Sequence, residues 1–173
     1  MRNSSRHVVR GGIAVALVGL GLAPAASSAD YFARYHGDWT GGGPVKVAQL
    51  PEPTNVFCDI KGTRDGGRSF SLSGQCRAML VLSRKIGATL RYDPETDMYR
   101  GAYEGSSSGP AKLQGKLEGA TLNLKVTWNK TIYDDQFARM LIENRGGGAF
   151  TMKVLEQIDG KEVVVSDLSF ENG

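Results

Sequence analysis

Apolar residues recur at every second position through most of this chain, in short runs that stop at glycine, proline or aspartate. That period fits extended backbone with one buried face and one wet face, because successive side chains of a strand point to opposite sides. Along 54–62, Val56, Cys58 and Ile60 share one face, and Phe57, Asp59 and Lys61 share the other. Along 69–82, Phe70, Leu72, Gly74, Cys76, Ala78, Leu80 and Leu82 alternate with Ser69, Ser71, Ser73, Gln75 and Arg77. Between the runs stands Asp65-Gly66-Gly67, turn chemistry of the kind that closes hairpins. Both sulfurs therefore lie on the apolar face. Setting Cys58 opposite Cys76 centres the turn on Gly67 and brings Ile60 opposite Gly74 and Val56 opposite Ala78. A disulfide is predicted between the two cysteines; without a CxxC spacing, metal ligation and a redox pair are the weaker rivals.

The same alternation continues. Ile86, Ala88, Leu90 and Tyr92 form one face, and after the Asp93-Pro94 turn the chain returns with Tyr99, Gly101 and Tyr103. Beyond a loop at 105–110, Ala111, Leu113, Gly115 and Leu117 lead through Glu118-Gly119 to Leu122, Leu124, Val126 and Trp128, an amphipathic hairpin. The segment 129–138 breaks the rhythm, and a helical turn is expected there. Three more strands follow, the last two joined at Asp159-Gly160, a strong tight-turn signal. The predicted fold is all-β: an antiparallel meander of about eight to ten strands, closed into a barrel to remove exposed edges. Glycines inside strands, Gly41 to Gly43, Gly74, Gly101 and Gly115, are where such strands would bend. The alternative for them is close approach of a ligand to the backbone.

The N-terminus predicts export. Arg2, Arg6 and Arg10 precede an uncharged run from Gly11 to Leu22, and small residues ending in Ser27-Ser28-Ala29 follow it. A basic start, an apolar stretch of this length and a small-residue site describe a cleaved secretory signal, and the run is too short to span a bilayer as a helix. The expected division is a signal segment at 1–29 and a single barrel domain at 30–173, periplasmic or secreted. No cysteine adjoins the site to carry a lipid, so no membrane anchor is expected. The signal also accounts for the net charge of +3, since its three arginines are the excess of 21 basic over 18 acidic residues. No basic stripe remains to track a phosphate backbone, and nucleic acid is not an expected partner.

Gly37-Asp38-Trp39 resembles the Gly-x-Trp signature on the first strand of lipocalins and related calycins. The order of signal, Gly-x-Trp and meander is similar to that plan, and the whole chain after the signal also resembles small exported proteins of Gram-negative bacteria with a glycine-rich first strand and paired cysteines. The resemblance implies a lipocalin- or avidin-like barrel with a ligand-capable interior, in which Gly37 and Trp39 are structural and the tryptophan packs at the closed end. Lipocalins pack an arginine on this tryptophan, and Arg139 and Arg145 are the candidates for it.

Catalytic equipment is sparse. His36 is the only histidine after the signal, which rules out repeated Ser-His-Asp or His-rich metal patterns, and GxSxG, SxxK, P-loop and dinucleotide fingerprints are missing. Asp93, Glu95 and Asp97 have the alternate spacing of a calcium loop, without its central glycine or terminal acid, and read better as a solvated turn. No catalytic residue, metal site or cofactor is therefore expected. The expected function is non-catalytic binding of a small apolar ligand or lipid inside the barrel, lined by Phe70, Tyr92, Tyr99, Tyr103, Trp128 and Phe150. The alternative is an envelope protein-interaction or inhibitor module whose core those same side chains fill. A paired-carboxylate hydrolase is the lesser possibility.

Overall fold

The computed structural model describes residues 28–46, 50–79 and 82–173, with side chains from Tyr31 onward. The signal-segment expectation rests on residues of which 1–27 lie outside the described ones. A short helix, α1 (Ser28–Ala33), precedes ten strands. They are β1 (Gly37–Val45), β2 (Thr54–Arg64), β3 (Ser69–Ala78), β4 (Leu82–Asp93), β5 (Met98–Glu104), β6 (Ala111–Glu118), β7 (Thr121–Ile132), β8 (Asp135–Gly146), β9 (Ala149–Ile158) and β10 (Lys161–Asn172). Each strand pairs antiparallel with its neighbours in sequence, and β1 pairs with β10 to close the barrel. Among the described residues closure leaves no unpaired edge, which is the physical gain over an open sheet of this size.

The alternating residues divide as their period requires. Leu72, Leu90, Leu113, Leu124, Met140, Val154 and Leu168 are buried inside, and their sequence neighbours on the strands face outward. The β2–β3 register is the one the cysteines specify: Cys58 opposite Cys76, Ile60 opposite Gly74, Val56 opposite Ala78. The cysteines form a disulfide across 18 residues of sequence. Closing a loop of that size limits the unfolded chain and stabilises by about 3 kcal/mol. The double variant Cys58→Ser/Cys76→Ser is expected to melt several degrees lower; equal midpoints in differential scanning calorimetry would remove the bridge from the stability account.

One expectation is corrected. Residues 129–138 form no helical turn: β7 continues to Ile132 and β8 starts at Asp135, with a break in register after Thr127. The reversal is made by Tyr133 in left-handed backbone, φ 56°, without the glycine or asparagine that usually marks such a turn. α1 adds to the all-β fold without overturning it: its Tyr31 and Phe32, with Tyr35 just beyond its last residue, are buried, so a short helical segment closes one end of the strand core.

The strand glycines are crowded by neighbouring backbone. A Cβ on Gly101 would stand 1.7 Å from the Thr89 carbonyl oxygen, and one on Gly62 would stand 1.6 Å from that of Tyr35, where the chain leaves α1. At both positions close strand or chain approach accounts for the absence of a side chain.

Candidate functional site

The two ends of the barrel differ chemically. At the end where β1 begins, Phe32 packs on Phe70 at 4.7 Å between ring centroids and edge-on to Tyr99 at 5.5 Å. Tyr35 stacks on Phe70 at 5.2 Å and meets Phe150 edge-on at 5.3 Å. Trp39 packs edge-on to Phe150 at 4.9 Å and donates its indole N–H to the Tyr35 carbonyl at 3.0 Å. The Tyr31 hydroxyl, 2.5 Å from that of Tyr35, also donates to the Ile142 carbonyl at 3.2 Å and so ties α1 to β8. Burial pushes the Tyr31 phenol up to about 12, and burial raises that of Tyr35 as well, followed by the influence of Tyr31. Both remain neutral at any physiological pH. This end is stoppered by aromatic packing.

Three residues of the sequence-derived set, Phe70, Tyr99 and Phe150, therefore lie within the stopper's contacts. Tyr92 is half-buried against Tyr99 at 4.9 Å, and its hydroxyl donates to Asp97 at 3.1 Å. The calcium-loop spacing is occupied by turn chemistry: Asp93 accepts from the Glu95 backbone N–H, from Thr96 and from Arg100. Among the described residues, no group of three or more histidine, cysteine or acidic side chains is disposed to hold a metal ion. Arg139 pairs with Glu162 at 2.5 Å and Arg145 lies 3.9 Å from Glu143. His36 is exposed beside the stoppered end.

Tyr103 and Trp128 lie together at the far end, their rings edge-to-face at 6.2 Å. Beside them is a residue the periodicity did not single out. Glu156 continues the inward face of β9 after Phe150, Met152 and Val154, is only 2% exposed, and stands opposite Ala138 of β8 and Val163 of β10. Its Oε1 accepts the Trp128 indole N–H at 2.8 Å, while no donor among the described residues reaches Oε2. Burial raises the carboxyl from the ordinary 4.5 to about 7; the Trp128 hydrogen bond opposes that rise and nearby Asp135 adds to it. An ionised carboxylate held from water without a cation is unfavourable, so this group is poised between its two protonation states near neutrality.

Tyr133 covers the same region. From the β7–β8 turn its hydroxyl donates at 3.2 Å to the Lys46 carbonyl just beyond β1, so it ties together segments whose strands are not neighbours in the sheet. A second tie joins two turns, the Asp159 backbone N–H donating to Asp134 at 2.7 Å. Deeper in the barrel, a cavity of about 10 Å³ is lined by apolar side chains including Ile86, Tyr103 and Met152, room for about one water.

Ten antiparallel strands in sequence order, closed on themselves and stoppered at one end, define an up-and-down β-barrel. Among solved structures, the crystal structure of Rv2717c from M. tuberculosis is similar to it, with a TM-score of 0.64 at 13% identity, covering 87% of this chain and 99% of that one. That likeness shows the fold. Searches of protein-family models and of curated proteins gave no match.

Proposed function

We propose that this chain is an exported, non-catalytic binding protein that takes a small apolar ligand at the unstoppered end of its barrel. The observation that carries the reading is the placement of Tyr103, Trp128 and Glu156 together inside that end, away from the aromatic stopper. Aromatic walls with one buried polar group are the usual make-up of a small-molecule site. The deeper cavity is small, which favours a ligand at the rim, among Tyr103, Trp128 and Tyr133, over one along the barrel axis. The Gly37-Asp38-Trp39 likeness to lipocalins supports the same reading by analogy. The arginine-rich start and apolar run at 2–22 support export, and the intramolecular disulfide suits an oxidising compartment.

Native mass spectrometry of the protein from its own host, before and after organic extraction, tests the proposal. A defined additional mass that extraction removes, and that Tyr103→Ala fails to retain, is the expected result. The same spectrum tests export through a polypeptide mass matching residues 30–173. A bare mass in every preparation would instead favour the interaction module. That second reading draws on side chains left in solvent toward the far end, Phe57 at 71% exposure, Met79 at 63% and Leu82.

A further inference from the structure

Glu156 has a geometry that an apolar ligand alone leaves unexplained. It sits on the inward face of β9, its Oε1 is fixed by Trp128, and its Oε2 is buried without a donor among the described residues. A buried acceptor of this kind is costly unless something donates to it. Basic side chains of β4, β8 and β9 engage partners elsewhere: a terminal nitrogen of Arg139 is on Glu162, its Nε being itself buried without a partner among the described residues, Lys153 is on Asp167 at 3.0 Å, and Arg84 donates to the Gly105 carbonyl at 3.2 Å. Asp135, the neighbouring carboxylate that acts on Glu156, adds negative charge and no donor, and its own Oδ1 accepts the Phe137 backbone N–H.

The carboxyl group lies beside aromatic side chains. The indole of Trp128 touches the carboxyl, the phenol of Tyr103 meets that indole edge-on, and Tyr133 is hydrogen-bonded to the Lys46 carbonyl at the same end. Ring faces attract an ammonium group, and a carboxylate among them adds a charge-assisted hydrogen bond. The nitrogen must carry at least one N–H to satisfy Oε2. A neutral hydroxyl makes the weaker version of that bond, and a carboxylate head is repelled.

Resting on the binding reading above, we propose that the ligand is a protonated amine with an apolar body, its N–H donated to Glu156 Oε2 and its charge set among Trp128, Tyr103 and Tyr133. The apolar body lies toward the rim, and entry displaces the Tyr133 hydroxyl from the Lys46 carbonyl. Octylammonium, octan-1-ol and octanoate share a chain length and differ in the head, so they separate the head group's contribution from that of the tail.

Binding of each probe to the disulfide-intact protein is measured by isothermal titration calorimetry at pH 8, with Glu156→Gln alongside and circular dichroism to establish that the variant is folded. Octylammonium is expected to bind at least tenfold more tightly than octanol, octanoate more weakly than either, and Glu156→Gln to bring octylammonium to the level of octanol. If Glu156→Gln does not fold, the carboxyl resonance of Glu156 in the native protein replaces it: octylammonium is expected to move its titration to lower pH, and octanol is not. Equal binding of octanol and octylammonium, or an unmoved Glu156 titration, overturns the amine assignment and leaves the apolar-ligand reading standing. Binding of none of the three overturns both.

Discussion

Phe32→Ala is expected to lower the midpoint of thermal unfolding by roughly ten degrees. Its ring is fully buried and is held between Phe70 and Tyr99, the first inward residues of β3 and β5 at the stoppered end. Those strands cannot close over the gap, because their spacing is fixed by pairing with β2, β4 and β6. Truncating a buried phenylalanine where the site cannot collapse costs about 3–5 kcal/mol, and a chain of this size loses a few degrees per kcal/mol. Arg34→Ala, on the exposed side of the same segment, serves as the control and is expected to leave the midpoint within about a degree or two. Equal, small shifts for the two variants would mean that α1 rests on the barrel without supporting it.

That stopper was the part of the fold least legible from the residues, for a physical reason. Tyr31, Phe32 and Tyr35 have the spacing that places side chains on one helical face, and that is the signal that could have revealed α1. It spans under two turns of helix and directly follows the apolar N-terminal run, so the pattern is short and its left boundary is obscured. Such a helix has little intrinsic stability and exists through tertiary packing. The barrel, by contrast, was readable because each strand carries its own period-two record and most turns carry glycine or aspartate. The Cys58–Cys76 register followed from alternation and turn chemistry alone. The reversal at Tyr133 was misread because a tyrosine there provides no turn signal, the left-handed backbone being held by ties such as its hydrogen bond to Lys46.

Glu156 shows how part of the site escaped notice. Phe150, Met152, Val154 and Glu156 share one parity, so a carboxylate stands where the pattern calls for an apolar residue. Near a strand end that substitution reads as emergence into solvent, and only the closure of the barrel and the coverage by Trp128 and Tyr133 show it to be inside. Tyr103 and Trp128 were legible as inward aromatics. Sequence parity placed them in the same set as Phe70 and Phe150, because it distinguishes inside from outside and carries no information on height along the barrel.

The position of Glu156 has a consequence for stability that is independent of any ligand. Its folded-state carboxyl titrates near 7 and its unfolded one near 4.5, so the folded protein holds the proton more tightly. Below about pH 4.5 both states are protonated and the group costs nothing; as pH rises toward 7 the unfolded chain ionises first, and stability falls. The full difference corresponds to at most about 3 kcal/mol. Asp93, whose carboxyl is lowered by its Thr96, Glu95 and Arg100 contacts, has the opposite sign, and its contribution is lost only below the ordinary value of 3.8, outside this window. Urea unfolding at pH 5, 6, 7 and 8 is therefore expected to show a decline that Glu156→Gln flattens, the variant being more stable than the parent at pH 8. Glutamine keeps an oxygen for the Trp128 N–H and carries no charge to bury. Parallel curves for the two proteins would mean that water reaches Oε2 and solvates the charge. If the amine assignment holds, saturating octylammonium also removes the decline in the parent protein, because a cation beside the carboxylate offsets the burial that raised its pKa. Octanol leaves the slope in place, since it binds without supplying charge.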